Sequence, residues 1–334
     1  MRHILQHSRS TQHKHQGYTL IELMIANGLG IMLIVGVVQI FTANSQSIRV
    51  VDASARVQES GRIGLDMMAK DIRMADYWGC APTGDILNHL KTSDLDYNAD
   101  IHNPTSATGL DGQNNVASGV AINTIDVLDG SDTITFRGAS PLDGVKIQTP
   151  YMNVNAATIH INTGANLPKG MLILITNCKG GDFFSNTNQN TSTSGNIIHS
   201  TGNLPAVGNI DNLIKNLSQT YTDDAVISSP YTKTYFIGTG SIPGTTSLYR
   251  YQPELPGGAD EIIPNVVDMQ LVYGDDTNSN GSVNRWADSS VVTLDNAIAV
   301  RITLTIESPN DNIVGGEPLR REYSITSTIR NRLL

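Results

Sequence analysis

Cysteine is nearly absent: Cys80 and Cys178 are the only two in 334 residues. Without histidines at ligand spacing, two cysteines are too few for a zinc centre and just enough for one disulfide. In an exported domain such a bridge would close a loop of about 100 residues and contribute at most about 4–5 kcal/mol. The alternative is a pair of buried free thiols. Aromatic residues are also scarce, at 5 %. Asn, Ser, Thr, Asp and Gly are abundant instead, which suits a turn-rich extracytoplasmic β protein better than a helical enzyme. Positive charge is in deficit, with 22 Lys and Arg against 31 Asp and Glu. That balance disfavours non-specific nucleic-acid binding by the bulk of the chain, though not a local basic patch. Catalytic signatures are missing as well: there is no nucleophile elbow, H-E-x-x-H, phosphate loop or paired acid motif. "GTGSIPG" at Gly238–Gly244 lacks the following Lys and reads as a turn. His89, His102, His160 and His199 are scattered and read as surface or capping residues. The expectation is a protein that is not an enzyme, with one large domain or two small ones.

One membrane-length apolar run is present. Tyr18 to Phe41 holds a single ionisable carboxylate, Glu22, and as a helix would extend about 36 Å, enough to cross a bilayer. The stub before it carries Arg2, Arg9 and Lys14 and no acid, so it should stay cytoplasmic while the long remainder is exported. An ordinary signal peptide would be cut after the apolar run, where "VVQIFTANSQS" offers small residues. The more unusual spacing lies before the run, where Glu22 is the fifth residue after Gly17. Gly28, Gly30 and Gly36 each lower helicity by roughly 1 kcal/mol relative to Ala, and permit close helix packing.

The helical pattern continues past the run. Val57, Gly61, Leu65, Met68, Ile72 and Ala75 recur at steps of three and four, one face of a helix ending near Trp78–Gly79. Glu59/Arg62, Asp66/Lys70 and Arg73/Asp76 place opposite charges at helical spacings. Residues 81–130 read as a long connection with short embedded elements, and 180–224, rich in Asn, Thr and Ser, as surface loop. Between and after them come strand-like runs: "SDTITFRGAS", "TIHINTG", "GMLILITNC", a hairpin of "KTYFIGTG" and "TSLYRYQ", then "NVVDMQLVYGDD". Val300, Ile302, Leu304 and Ile306 alternate as on a half-buried strand, as do Tyr323, Ile325 and Ile329. "DTNSNG" at Asp276–Gly281 puts Asp276, Asn278 and Asn280 at alternate positions before a glycine, the first half of a calcium loop. Ala287 stands where the bidentate Glu would be, and an ordinary Asn/Gly turn is the competing reading.

"G-Y-T-L-I-E-L-M-I-A" from Gly17 resembles the class III signal of type IV prepilins. "RVQESGRIGLDMMAKDIRMADYWGC" is similar to the corresponding segment of PilW-type minor pilins, through Glu59, Gly61, Arg62, Asp71, Ile72, Arg73, Ala75, Gly79 and Cys80. The run that carries Cys178, "S-L-Y-R", "V-x-D-M-Q-x-x-Y-G", "A-V-R-I-x-L" and the terminal "R-N-R" resemble the same family. Tyr18 replaces the usual Phe, and Gln39 stands near the Pro of many major pilins.

The resemblance implies an α+β type IV pilin fold: a long N-terminal helix, its first half membrane-spanning, packed on an antiparallel β-sheet with large loop insertions. It implies four segments, with residues 1–17 a class III leader peptide and 18–41 a transmembrane and filament-core helix. Residues 42–79 would be the amphipathic continuation and 80–334 an exported β-rich domain. Cleavage would fall between Gly17 and Tyr18, with N-methylation of Tyr18. Glu22 would pair with a neighbour's terminal amine during assembly, and Cys80 with Cys178. Implied partners are prepilin peptidase, other minor pilins, the major pilin and the inner-membrane assembly platform. No cofactor is implied; calcium at Asp276, Asn278 and Asn280 is the one candidate. The expected location is the inner membrane with a periplasmic domain, then the pilus tip. The expected role is priming pilus assembly, supporting twitching, adhesion or DNA uptake. A minor pseudopilin of type II secretion is the rival, as is a tip adhesin or DNA-binding module built on inserts 81–130 and 180–224.

Overall fold

A computed structural model describes residues 17–81, 85–94, 96–103, 109–202, 210–255, 257–309 and 316–333. Most of the expected leader, residues 1–16, lies outside the described residues. The chain divides into two units, Met1–Ala53 and Ser54–Leu334. One helix, α1 (Leu20–Met74), runs through both. In the first unit it is apolar and long enough to cross a membrane, with side chains such as Leu20, Leu29, Met32, Leu33 and Phe41 exposed.

The second unit is a mostly antiparallel β structure around the last turns of α1. Its larger sheet contains β1 (Ile86–Asn88), β2 (Leu110–Gln113), β3 (Thr133–Pro141), β4 (Leu172–Asn177), β5 (Gly180–Ser185), β6 (Val226–Thr239), β7 (Thr246–Tyr251) and β8 (Ala259–Pro264). A second sheet follows: β9 (Val266–Asp275), β10 (Arg285–Ala287), β11 (Ala297–Glu307) and β12 (Arg320–Thr328), in the order β10-β9-β11-β12. Strand β6 organises the larger sheet. One edge pairs with β4 at Val226–Ser228 and with β7 at Thr234–Thr239; the other pairs with β3 at Ser228–Tyr235. The expected hairpin of "KTYFIGTG" and "TSLYRYQ" is the β6–β7 pair.

The helical face expected from sequence is the buried one. Val57, Leu65, Met68, Ile72 and Ala75 join one core with Ile134, Phe136 and Tyr235 of the larger sheet and with Val300, Ile302, Leu304 and Ile306 of β11. Each fully buried side chain of this size contributes about 1.5–3 kcal/mol of apolar burial. Gly61 is required by a close approach: a Cβ there would lie 2.5 Å from Cδ2 of Tyr323. The helix ends at Met74, earlier than the expected Trp78–Gly79. Asp76 turns left-handed, φ 62°, and its N–H leaves the helix to donate to Arg137 O at 2.8 Å.

Residues 180–224 differ from the surface loop expected. All six residues of β5 are buried, and Phe184, Ile197, Leu217 and Tyr221 enter a second core with Ile159, Ile173 and Ile175. The polar residues are inside because they satisfy main-chain groups there. Asn212 exchanges two hydrogen bonds of 2.8 Å with the backbone of Ser185. Asn186 Nδ2 donates to Leu167 O at 2.9 Å.

Candidate functional site

The first candidate site is the start of α1. Thr19 N–H and Oγ1–H both donate to Glu22 Oε2, at 2.9 and 3.0 Å. Glu22 N–H donates back to Thr19 Oγ1 at 3.3 Å. This reciprocal arrangement is a capping box, satisfying main-chain donors that the first helical turn leaves without partners. Thr19 and Glu22 stand three apart, the spacing of a capping box, so this signal is present in the sequence beside the spacing from Gly17. Gly17 and Tyr18 precede the helix, and Tyr18 is 89 % exposed.

The second is the end of α1, inside the Ser54–Leu334 unit. Asp71 accepts from Lys233 Nζ at 2.8 Å and from Tyr235 OH at 2.6 Å, both on β6. The last carbonyls of the helix find side-chain donors: Tyr231 OH bonds Met74 O and Asn331 Nδ2 bonds Ala75 O, each at 2.9 Å. Asp76 accepts from Arg332 Nε at 2.7 Å and Trp78 Nε1 at 3.0 Å. Arg332 also reaches Leu294 O and Ala297 O. Cys80 is disulfide-bonded to Cys178, across a sequence separation of 98, which ties the residues after the helix to the β4–β5 turn. Thus Ala75 and Asp76, just after the "D-I-R" stretch, meet Asn331 and Arg332 of the terminal "R-N-R", far away in sequence. Arg62 and Arg73 project from the exposed side of the helix. Asp76 pairs with Arg332 and not with Arg73 three residues before it, a partner that local spacing does not reveal.

The loop at Asp276–Gly281 is a turn built on its one carboxylate. Asp276 accepts from the N–H of Asn280 at 3.1 Å and of Gly281 at 2.7 Å. Burial pushes this carboxyl up, but backbone N–H groups from Gly281, Asn280, Asn278 and Ser279 outweigh it and hold the group below the usual range. Asn280 Oδ1 in turn accepts from Ser282 N–H at 2.9 Å. Among the described residues, no group of three or more His, Cys, Asp and Glu is placed to hold a metal ion.

Two histidines are not at the surface as expected. His89 and His199 are buried. His89 Nε2 lies 2.5 Å from Oδ1 of Asp182, which is fully buried and also accepts from Ser218 Oγ at 2.7 Å and Tyr221 OH at 2.6 Å. Burial raises the Asp182 carboxyl, and the hydrogen bonds from His89, Tyr221 and Ser218 more than reverse that. Ser218 donates to the carboxylate and not to His89, so the set is not a relay that would activate a serine. It ties the segments around 89, 182 and 218–221 together. His199 packs against the Phe184 ring at 5.0 Å, and burial, then the nearby His89, push it down to about 4.

Residues 234–328 match the family model PilW, type IV pilus-assembly protein W. The match covers less than a third of the chain and supports a PilW-type type IV pilus protein. It begins in the second half of β6 and runs to the end of β12, so it takes in β7, β8 and the whole second sheet. An apolar N-terminal helix fits membrane anchoring in such a system. No curated protein and no solved structure matches the chain.

Proposed function

We propose that the chain is a minor pilin that joins a priming complex at the tip of a type IV pilus. The observation that carries this reading is the PilW match over 234–328, on a chain whose exposed apolar helix follows Gly17–Tyr18 and is capped by Thr19 and Glu22. In this reading the β-rich body is a pilin fold with large insertions, held in the periplasm by α1 before assembly. The peptidase cuts between Gly17 and Tyr18, and the new amine on Tyr18 is N-methylated. The Thr19–Glu22 capping box uses only groups after that bond, so cleavage leaves it intact. Glu22 then carries a carboxylate in apolar surroundings, which is costly alone and much less so beside a cation. A neighbour's terminal amine supplies that cation and fixes the register between helices. Partners are the other minor pilins, the major pilin, the peptidase and the assembly platform. The role is in assembly, with no catalysis by this chain, and twitching, adhesion or DNA uptake follows from the filament.

Glu22→Ala tests the reading. It should insert in the membrane normally and fail to co-purify with the other pilin subunits; normal incorporation would refute the pairing. A deletion strain separates the pilus from type II secretion: lost twitching with intact exoprotein secretion fits the pilus, and the converse fits a pseudopilin.

A further inference from the structure

Among the described residues, five strands lie at the edges of the two large sheets, and four of them are poor templates for another chain. β1 and β10 have three residues each and β2 four. β8 is irregular in its pairing with β7, carries exposed Asp260 and Glu261 and ends in Pro264. Short length, charge, proline and bulges are the usual means of blunting an edge. β12 is different: nine residues, no proline, and an unbroken register on β11 from Arg320 to Thr328.

The ladder shows which groups of β12 are left over. Ile329 N–H donates to Ile298 O, and Ser308 N–H donates to Leu319 O. Odd-numbered residues therefore turn their main-chain groups toward β11, because bonding alternates along an antiparallel strand. The N–H and C=O groups of Glu322, Ser324, Thr326 and Thr328 point the other way, and among the described residues no strand pairs with that edge. Helix α1 runs parallel to β12 on one face, with Tyr323 against Gly61 and Ser327 Oγ donating to Ala69 O at 3.1 Å. At roughly 100° per residue, Arg62 and Arg73 project from the Ala69 flank, above the open edge. Beside them on the exposed side stand the acids Glu59 and Asp66 and a third base, Lys70, which leaves the flank net positive.

We propose that β12 is a strand-addition site, and that its occupant is a strand of a neighbouring pilin-type subunit carrying carboxylates on the side that faces α1. Main-chain bonds to Glu322, Ser324, Thr326 and Thr328 supply affinity, and Arg62 and Arg73 select an acidic strand. A second copy of this chain is disfavoured, since edge-to-edge pairing about a two-fold axis would gather both copies' Arg62 and Arg73 at one seam. The proposal rests on the reading of the chain as one subunit of a pilin assembly.

Hydrogen exchange on the full chain tests it, alone in micelles and co-assembled with the other pilin-like subunits of the same pilus. The amides of 322, 324, 326 and 328 should exchange quickly alone and slow by about tenfold or more in the complex, while those of 325 and 327 are protected in both. Ser324→Pro removes an outward N–H and spares the β11 ladder, so it should keep the fold, read by an unchanged melting temperature, and weaken the complex. If it unfolds the protein, Arg62→Glu with Arg73→Glu replaces it, with the same loss of complex expected. A complex that forms without protecting these amides overturns the strand site and leaves the assembly reading standing. No complex at all overturns both. Concentration-dependent protection in the chain alone overturns the acidic neighbour in favour of a second copy.

Discussion

Asp71 ties the last turns of α1 to the larger sheet of the Ser54–Leu334 unit through Lys233 and Tyr235. It lies in the "D-I-R" stretch, where sequence spacing shows a helix position and nothing of its partners on β6, some 160 residues later. Asp71→Ala leaves Lys233 and Tyr235 OH without their acceptor. The expected loss is about 2–3 kcal/mol in denaturant melts, and Tyr235→Phe in the Asp71→Ala background should cost much less than in the wild type. His199 gives a pH signature. Its folded pKa, near 4, lies below the ordinary 6.5, so the unfolded chain takes up a proton first as pH falls. The stability tied to neutral His199 is full above pH 6.5 and declines as pH drops toward 4. Between pH 7 and 5 the wild type should lose on the order of 1–2 kcal/mol more than His199→Phe, which keeps the contact with the Phe184 ring. An equal loss in both would contradict it. Nothing in the sequence distinguished His89 and His199 from surface histidines, because their burial is decided by which distant segments close over them.

At the scale of elements the sequence was more legible. The 3.6-residue period of Val57 to Ala75 and the alternation of Val300 to Ile306 each predicted the buried face, since both patterns are local consequences of backbone geometry. Helix termination was not legible: Asp76 adopts φ 62° inside a junction made with Arg137, Arg332 and Trp78. Gly61 carries a prediction here. Ala at this position gains about 1 kcal/mol of helix propensity but must displace the Tyr323 ring, an overpacking cost of about 1–3 kcal/mol. Gly61→Ala should therefore lower the melting temperature, and Gly61→Val should lower it further. Gly64→Ala, where the nearest atom is Leu304 Cδ1 at 3.3 Å, should do less. The disulfide belongs to this scale as well. Cys80→Ser with Cys178→Ser should destabilise the Ser54–Leu334 unit of the full chain by up to about 4–5 kcal/mol, read by chemical denaturation.

For the whole molecule, composition pointed to a turn-rich β protein behind one membrane-length helix, and the structure has that arrangement of elements. Composition misled on the Asn- and Thr-rich segment 180–224, because those side chains bond to main chain within a second core. The PilW match covers the second sheet and its approach, while α1 and the insertions fall outside it. The central claim, that this chain is a prepilin, therefore stands or falls at its N-terminus. Mass spectrometry of the chain matured in its own cells tests it most directly. The account predicts an N-terminal peptide that begins with N-methylated Tyr18. A mature chain that still carries Gly17 and the residues before it, or that begins beyond Phe41, would contradict it.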